Sequence, residues 1–177
     1  MYLKKFPLFI FLFISLNFAA EAQNGFPVPM GNQKQLFYLQ RTPNTNTIVY
    51  ELNYKNGEID RENPIHEFWI RYQENGQRQE LSYIQRKFAY GIKTTKLADN
   101  RYELRFVSYK KYKMYLEPGP DKKLSVYTII NNKKVMLTSI FLKIKEGGSF
   151  WSPNIEYVEV SGIEPASRLV IREKLKI

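Results

Sequence analysis

Alternation with a period of two runs through most of this chain and limits what it can fold into. Ile48, Tyr50, Leu52 and Tyr54 alternate with Val49, Glu51 and Asn53. Leu36, Tyr38 and Gln40 oppose Phe37 and Leu39, and Phe68, Ile70 and Tyr72 oppose Trp69 and Arg71. The same pattern recurs in Tyr102/Leu104/Phe106, Leu124/Val126/Thr128/Ile130 and Met136/Thr138/Ile140/Leu142/Ile144. It closes with Ile155/Tyr157/Glu159 against Val158/Val160, and Leu169/Ile171/Leu175 against Arg172/Lys174. Successive strand side chains point to opposite faces, so such rows of aromatic and β-branched residues are half-buried strands. Turn chemistry separates them: Asn44 to Asn46 after Pro43, Asn56-Gly57, Asn75-Gly76, Asp99-Asn100, Asn131-Asn132, Pro118 to Asp121 and Gly147-Gly148. Short strands at this spacing predict a mainly β protein, an antiparallel β-barrel or sandwich of about eight to ten strands. Trp69 is expected to be structural or pocket-lining, and Leu104, Phe106 and Ile140 to lie in the core.

One segment departs from the rule. Leu81, Ile84 and Phe88 follow a spacing of three and four among Gln, Arg, Glu and Lys. This predicts one short amphipathic helix, about residues 77–89, ended near Gly91 and packing that stripe on an end or edge of the sheet. A hairpin closed by Asn75-Gly76 is the competing reading.

The N-terminus reads as an address. Lys4 and Lys5 precede an apolar run from Phe6 to Ala20, and Ala20-Glu21-Ala22 offers small residues where a signal peptidase needs them. The run is too short for a stable bilayer span, which takes about 20 residues. Residues 1–22 are therefore expected to be a signal peptide, residues 23–34 a Gly/Pro-rich extended lead-in, and residues 35–177 a single β-rich domain. The chain has no Cys and no Asn-x-Ser/Thr glycosylation sequon. A domain of about 150 residues buries about 70% of its extended surface and can do without disulfides. The expected compartment is outside a bacterial cytoplasm, periplasmic or secreted, with no transmembrane segment after cleavage.

Chemistry is constrained mainly by what is missing. Without Cys there is no thiolate nucleophile, Cys-ligated zinc or iron–sulfur cluster. His66 is the single His, so His-rich metal sites are excluded, and it reads as a polar residue beginning a strand. No nucleophile elbow, phosphate loop, dinucleotide fingerprint or zincin motif is present. No cofactor is expected. Asp60, Glu62, Glu67, Glu74 and Glu80 are numerous enough for a glycosidase pair but are scattered over loops and solvent-facing positions. Two segments concentrate hydrogen-bonding groups where regular elements end: Tyr38 to Thr47, and Ile84 to Gly91. Each also has a structural reading, as an Asx-turn network for the first and a helix C-terminus for the second. Their functional reading is a polar ligand-binding pocket at one end of the sheet, built from Arg41, Asn44, Asn46, Gln85 and Tyr90. Arg41 suits an anionic group because its planar fork makes two parallel hydrogen bonds.

The formal net charge is +10. Lys110-Lys111-Tyr112-Lys113, Lys122-Lys123, Lys133-Lys134 and the tail Arg168 to Lys176 concentrate it. Lysine at strand edges also blocks edge-to-edge pairing. Tyr109, Tyr112 and Tyr115 among the lysines look like a nucleic-acid surface, but export makes an anionic envelope component the expected attractor, and no nucleic acid is expected. An interior rich in aromatics could instead hold a small apolar ligand. The leading expectation is a non-enzymatic envelope protein binding an anionic or amphipathic partner. The alternatives are a carboxylate-dependent glycan hydrolase and an assembly factor that presents a sheet edge.

Several motifs carry a resemblance. They are Phe37-Tyr38-Leu39-Gln40-Arg41, Asn44-x-Asn46-Thr47-x-Val49-Tyr50, Asn63-Pro64, Trp69-Ile70-x-Tyr72, Ile84-Gln85-x-Lys87-x-Ala89-Tyr90-Gly91 and Val158-Glu159-Val160-x-Gly162. From about Leu36 onward the chain resembles a family of small exported bacterial proteins known only as a domain of unknown function. The resemblance implies one intact domain and supplies no activity, ligand or catalytic residue.

Overall fold

The computed structural model describes residues 25–149 and 152–176. The segment read as a signal peptide lies outside them. The N-terminal strands are β1 (Gln35–Arg41), β2 (Thr47–Leu52), β3 (Tyr54–Lys55), β4 (Glu58–Ile59), β5 (Ile65–Arg71) and β6 (Gln77–Glu80). A short helix follows: one α-helical turn, α1 (Tyr83–Gln85), continued by a π-helical turn over Arg86–Tyr90. Then come β7 (Ile92–Ala98), β8 (Arg101–Phe106), β9 (Met114–Pro118), β10 (Leu124–Ile130), β11 (Lys133–Lys145), β12 (Asn154–Ile163) and β13 (Val170–Leu175). Over the described residues the protein is mainly β, a large curled sheet with one short helix. Every alternating row forms a strand. β6, β7, β9 and the small β3–β4 hairpin are additional to those rows.

The long strand β11 organises the sheet. Its residues Met136 to Lys145 pair with β12 along one edge. The opposite edge is divided: Lys133 to Met136 pair with β10, and Ser139 to Leu142 pair with β1. Two wings diverge from this division, β1-β2-β5-β6 and β10-β9-β8-β7. They fold face to face. Phe37 of β1 stacks on Tyr50 of β2 at 4.4 Å, and both meet the Phe106 ring of β8 edge to face, at 6.4 and 5.9 Å. Leu104, Phe106 and Ile140 are buried in this core, as is Trp69. Among the described residues the pairing is antiparallel throughout except between β1 and β11, which run parallel.

Two features could not be read from periodicity. In β11 the row beginning at Met136 changes face, because Val135 and Leu137 enter the core and Ile140 does so after them. A register shift between Leu137 and Ser139 leaves Thr138 without a Cα partner on β12 and reverses the alternation. The second feature is the lead-in, which covers the outer face of β1 and β11. Phe26 sits edge-on to Phe141 at 5.3 Å, and the Gln40 side-chain amide donates to the Pro27 carbonyl at 2.7 Å. That cover buries Gln40 and Thr47, which a one-sided sheet would leave wet.

The helix differs from expectation in extent and in facing. Gln77–Glu80 is strand β6, paired with β5 across the turn that Asn75-Gly76 closes, so the hairpin and the helix both exist, one after the other. Of the stripe, Leu81 is buried, whereas Ile84 and Phe88 are 49% and 48% exposed. The helix starts at Ser82 with reciprocal capping: the Ser82 hydroxyl accepts from Gln85 N–H and the Gln85 side chain accepts from Ser82 N–H. This cap turns Gln85 toward the core and sends Ile84 outward. Gly91 has an ordinary φ of −64°, so its role is space, since a Cβ there would lie 2.0 Å from the Arg86 carbonyl oxygen.

Candidate arginine and aromatic site

On β1 the row Phe37, Leu39, Arg41 points inward, and Arg41 ends it. Its guanidinium carbon lies 5.8 Å from the centre of the Trp69 ring and 5.9 Å from that of Tyr90. Those rings meet edge to face at 5.3 Å. Trp69 Nε1 donates to Gln85 Oε1 at 3.3 Å, and the Tyr50 hydroxyl donates to the Tyr90 carbonyl at 2.9 Å. Helix, β1 and β5 therefore converge at one end of the sandwich. Burial pushes the Tyr90 phenol above its ordinary range, and the charge and hydrogen bond of Arg41 oppose the shift.

Arg41 differs from most arginines on the strands and helix in what it lacks. Arg71, Arg78, Arg86, Arg101 and Arg105 each reach a carboxylate. Among the described residues no carboxylate comes within ion-pair distance of Arg41, and its buried Nε has no hydrogen-bond partner. A buried donor left unpaired costs about 1–3 kcal/mol, which a bound acceptor would relieve. A guanidinium beside two aromatic rings can hold a carboxylate or phosphate and offer its ligand an apolar wall.

Asn44 and Asn46 follow Arg41 directly but work within the loop. Asn44 Oδ1 accepts from Asn46 N–H at 3.2 Å, and Asn46 Oδ1 accepts from Gln73 N–H at 3.0 Å. Of the five residues the sequence singled out, Arg41, Gln85 and Tyr90 are brought together, Gln85 through Trp69. The asparagines frame the loop behind them.

Of the carboxylates considered for a glycosidase pair, Asp60, Glu67, Glu74 and Glu80 are engaged elsewhere. Glu67 points inward on β5 and meets Arg86 Nε at 3.1 Å, while Arg86 Nη2 reaches Glu80 at 3.3 Å. Burial raises the Glu67 carboxyl, and Arg86 recovers only part of the shift. Glu74 pairs with Arg71, and Asp60 accepts from the backbone of Glu62 and Asn63. On the outer face His66 lies between Glu51 at 3.3 Å and Glu80 at 2.9 Å. Arg78 stacks on Phe68 at 3.5 Å and donates to Glu51 at 2.9 Å. Burial alone would push Glu51 up, but Arg78, with His66 and Asn32, brings it below the usual carboxylate range. Arg86 and Glu67 were missed as partners because the sequence reads them as a helix-end charge and a solvated acid. The signal was available in parity, since Ile65, Glu67 and Trp69 share a face.

Among the described residues no group of acids and His could hold a metal ion, and no helix is long and apolar enough to cross a membrane. Together these features describe a curled β-sandwich whose end is closed by a short capped helix over an arginine set against two aromatic rings. Residues 37–174 match the model of the family described as Domain of unknown function (DUF4833), and the chain belongs to that family. No curated protein and no solved structure matches the chain.

Proposed function

We propose that this protein is exported and acts outside the cytoplasm as a non-enzymatic binding protein, holding the anionic group of a small amphipathic ligand at Arg41. The observation that carries this reading is the buried Arg41 Nε, unpaired in a chain whose neighbouring arginines pair with acids. Trp69 and Tyr90 supply the apolar wall, and Gln85 fixes the Trp69 indole. The signal-like N-terminus, with Ala20-Glu21-Ala22 as its cleavage site, supports export.

Native mass spectrometry on protein purified from the exported fraction tests both parts. The mature chain should begin at Gln23 and carry an additional small-molecule mass. Arg41→Ala should lose that mass and melt near the wild-type temperature. Protein that still begins at Met1 would remove the case for export. A bare wild type, with an Arg41→Ala variant that only melts earlier, would make Arg41 a structural residue.

A further inference from the structure

The outward side of the same helix points to a second kind of contact. We propose that it docks, with the loop at its C-terminal end, on the surface of an anionic phospholipid bilayer. Tyr83 is 70% exposed, and Ile84 and Phe88 are each about half exposed. A surface helix normally turns such residues to the core. Here Gln85 turns inward to Trp69, while Arg86, itself about half exposed, reaches Glu67 and the exposed Glu80 along the flank of the helix.

The surroundings select the partner. Lys87 Nζ lies 5.2 Å from the Tyr83 ring centre and 5.3 Å from that of Phe88. The helix end is bonded to the loop after β8: Val107 N–H donates to the Gly91 carbonyl at 3.0 Å, and the Ser108 hydroxyl to the Ala89 carbonyl at 2.6 Å. That loop exposes Tyr109, followed by Lys110 and Lys111. Neither stretch that meets here, Ser82 to Ala98 or Arg105 to Leu116, contains an Asp or Glu. Two residues past Gly91, Lys93 opens a cavity of about 220 Å³ shared with Thr95, Glu103, Arg105 and Lys110. Glu103 is held by Arg105 at 2.6 Å, so Lys93 and Lys110 supply its uncompensated charge. Aromatic and aliphatic side chains interleaved with lysine suit the bilayer interface, where rings enter the headgroup level and cations meet lipid phosphates. The acids that border the patch, Glu80 and Glu103, are each held by an arginine, Arg86 and Arg105, so the lysines leave the surface net positive, which suits an anionic bilayer. The inference does not depend on a ligand at Arg41, because it uses the opposite side of the helix.

The test is sedimentation of the full mature chain with lipid vesicles, of phosphatidylcholine alone or mixed with phosphatidylglycerol. Wild type should pellet with the mixed vesicles only, and added salt should release it. Ile84→Asp should lower partitioning about tenfold or more, from the apolar area lost. Lys110→Ala with Lys111→Ala should lower it about fivefold for each lysine removed. Both variants should melt with the wild type, since the altered side chains are exposed. Wild type left in the supernatant, equal binding to neutral vesicles, or variants that bind as wild type would each overturn the proposal. Two further outcomes would also overturn it. Self-association lost in Ile84→Asp would assign the patch to a second copy, and capture of a single-stranded oligonucleotide with the same variant pattern would assign it to nucleic acid.

Discussion

Replacing Tyr50 by Phe isolates the link between core and helix. Tyr50 is fully buried, stacked on Phe37 and meeting Phe106 edge to face. Its hydroxyl donates to the Tyr90 carbonyl at 2.9 Å, at the end of the helix. The last carbonyls of a helix have no donor of their own within it, so the hydroxyl acts as a cap supplied from β2. Tyr50→Phe keeps all three rings and removes that bond. A neutral hydrogen bond contributes about 0.5–1.5 kcal/mol net, and an acceptor left without a donor adds to the loss, so about 1–2 kcal/mol should disappear. For a domain of this size that is a fall in melting temperature of about 2–8 °C. A urea titration should show a lower midpoint at an unchanged slope, because the surface exposed on unfolding is the same. Amide exchange over residues 82–91 should quicken before the rest of the chain responds. Tyr50→Ala, which also removes the ring, should cost about 3–5 kcal/mol. A loss below about 0.5 kcal/mol in Tyr50→Phe would refute the capping role, since that is the floor for one hydrogen bond.

Leu104→Ala should cost about 2–5 kcal/mol by leaving a cavity between the wings, and a urea titration showing almost no loss would mean the β8 row does not face inward. Gly91→Ala should destabilise the protein by about 1–3 kcal/mol, because the new methyl meets the Arg86 carbonyl and backbone must move; an unchanged melting curve would disprove the crowding. Glu51 and Glu67 should respond to pH with opposite signs. The lowered Glu51 contributes stability above the ordinary carboxylate range, lost as pH falls through its folded value, so Glu51→Gln should be destabilised at neutral pH and converge on wild type in acid. The raised Glu67 contributes stability below that range, lost as pH rises through its folded value, so Glu67→Gln should gain on wild type as pH rises; thermal melts from acid to neutral pH that show the same slope for both would contradict the assignment.

Local rules carried the fold a long way. The Tyr102, Leu104, Phe106 row is buried as its parity requires. The turn at Asn131-Asn132 takes φ of 48° and 62°, the left-handed pair that a two-residue hairpin needs. What escaped was set by distance along the chain or by a single residue. Nothing near β1 indicates that its partner is β11 and that the two run parallel. Thr138 alone reverses the parity of its strand. β7, with Lys93 and Lys96, is an edge strand whose side chains serve solvent, so it carries no apolar row. At the candidate site Arg41, Gln85 and Tyr90 were legible because each ends a regular element. Trp69 belongs with them through a ring contact and an indole hydrogen bond that bridge from β5, which no spacing encodes.

The divided edge of β11 also sets an order of events for a chain that emerges N-terminus first. Tyr38 must wait for Ser139, and Arg41 for Leu142, before β1 gains its second neighbour. Until then the first wing is an unfinished sheet with a bare rim, while the second is already built out through β10 to the start of β11. Completion comes late and joins both halves at once, as β11 arrives with one side for β12 and the other for β10 and β1. Such a chain stays unlocked for most of its emergence. A fragment cut before Ser139 would keep that rim open and should aggregate through β1, even though it holds β1, β2, β5 and β6 entire.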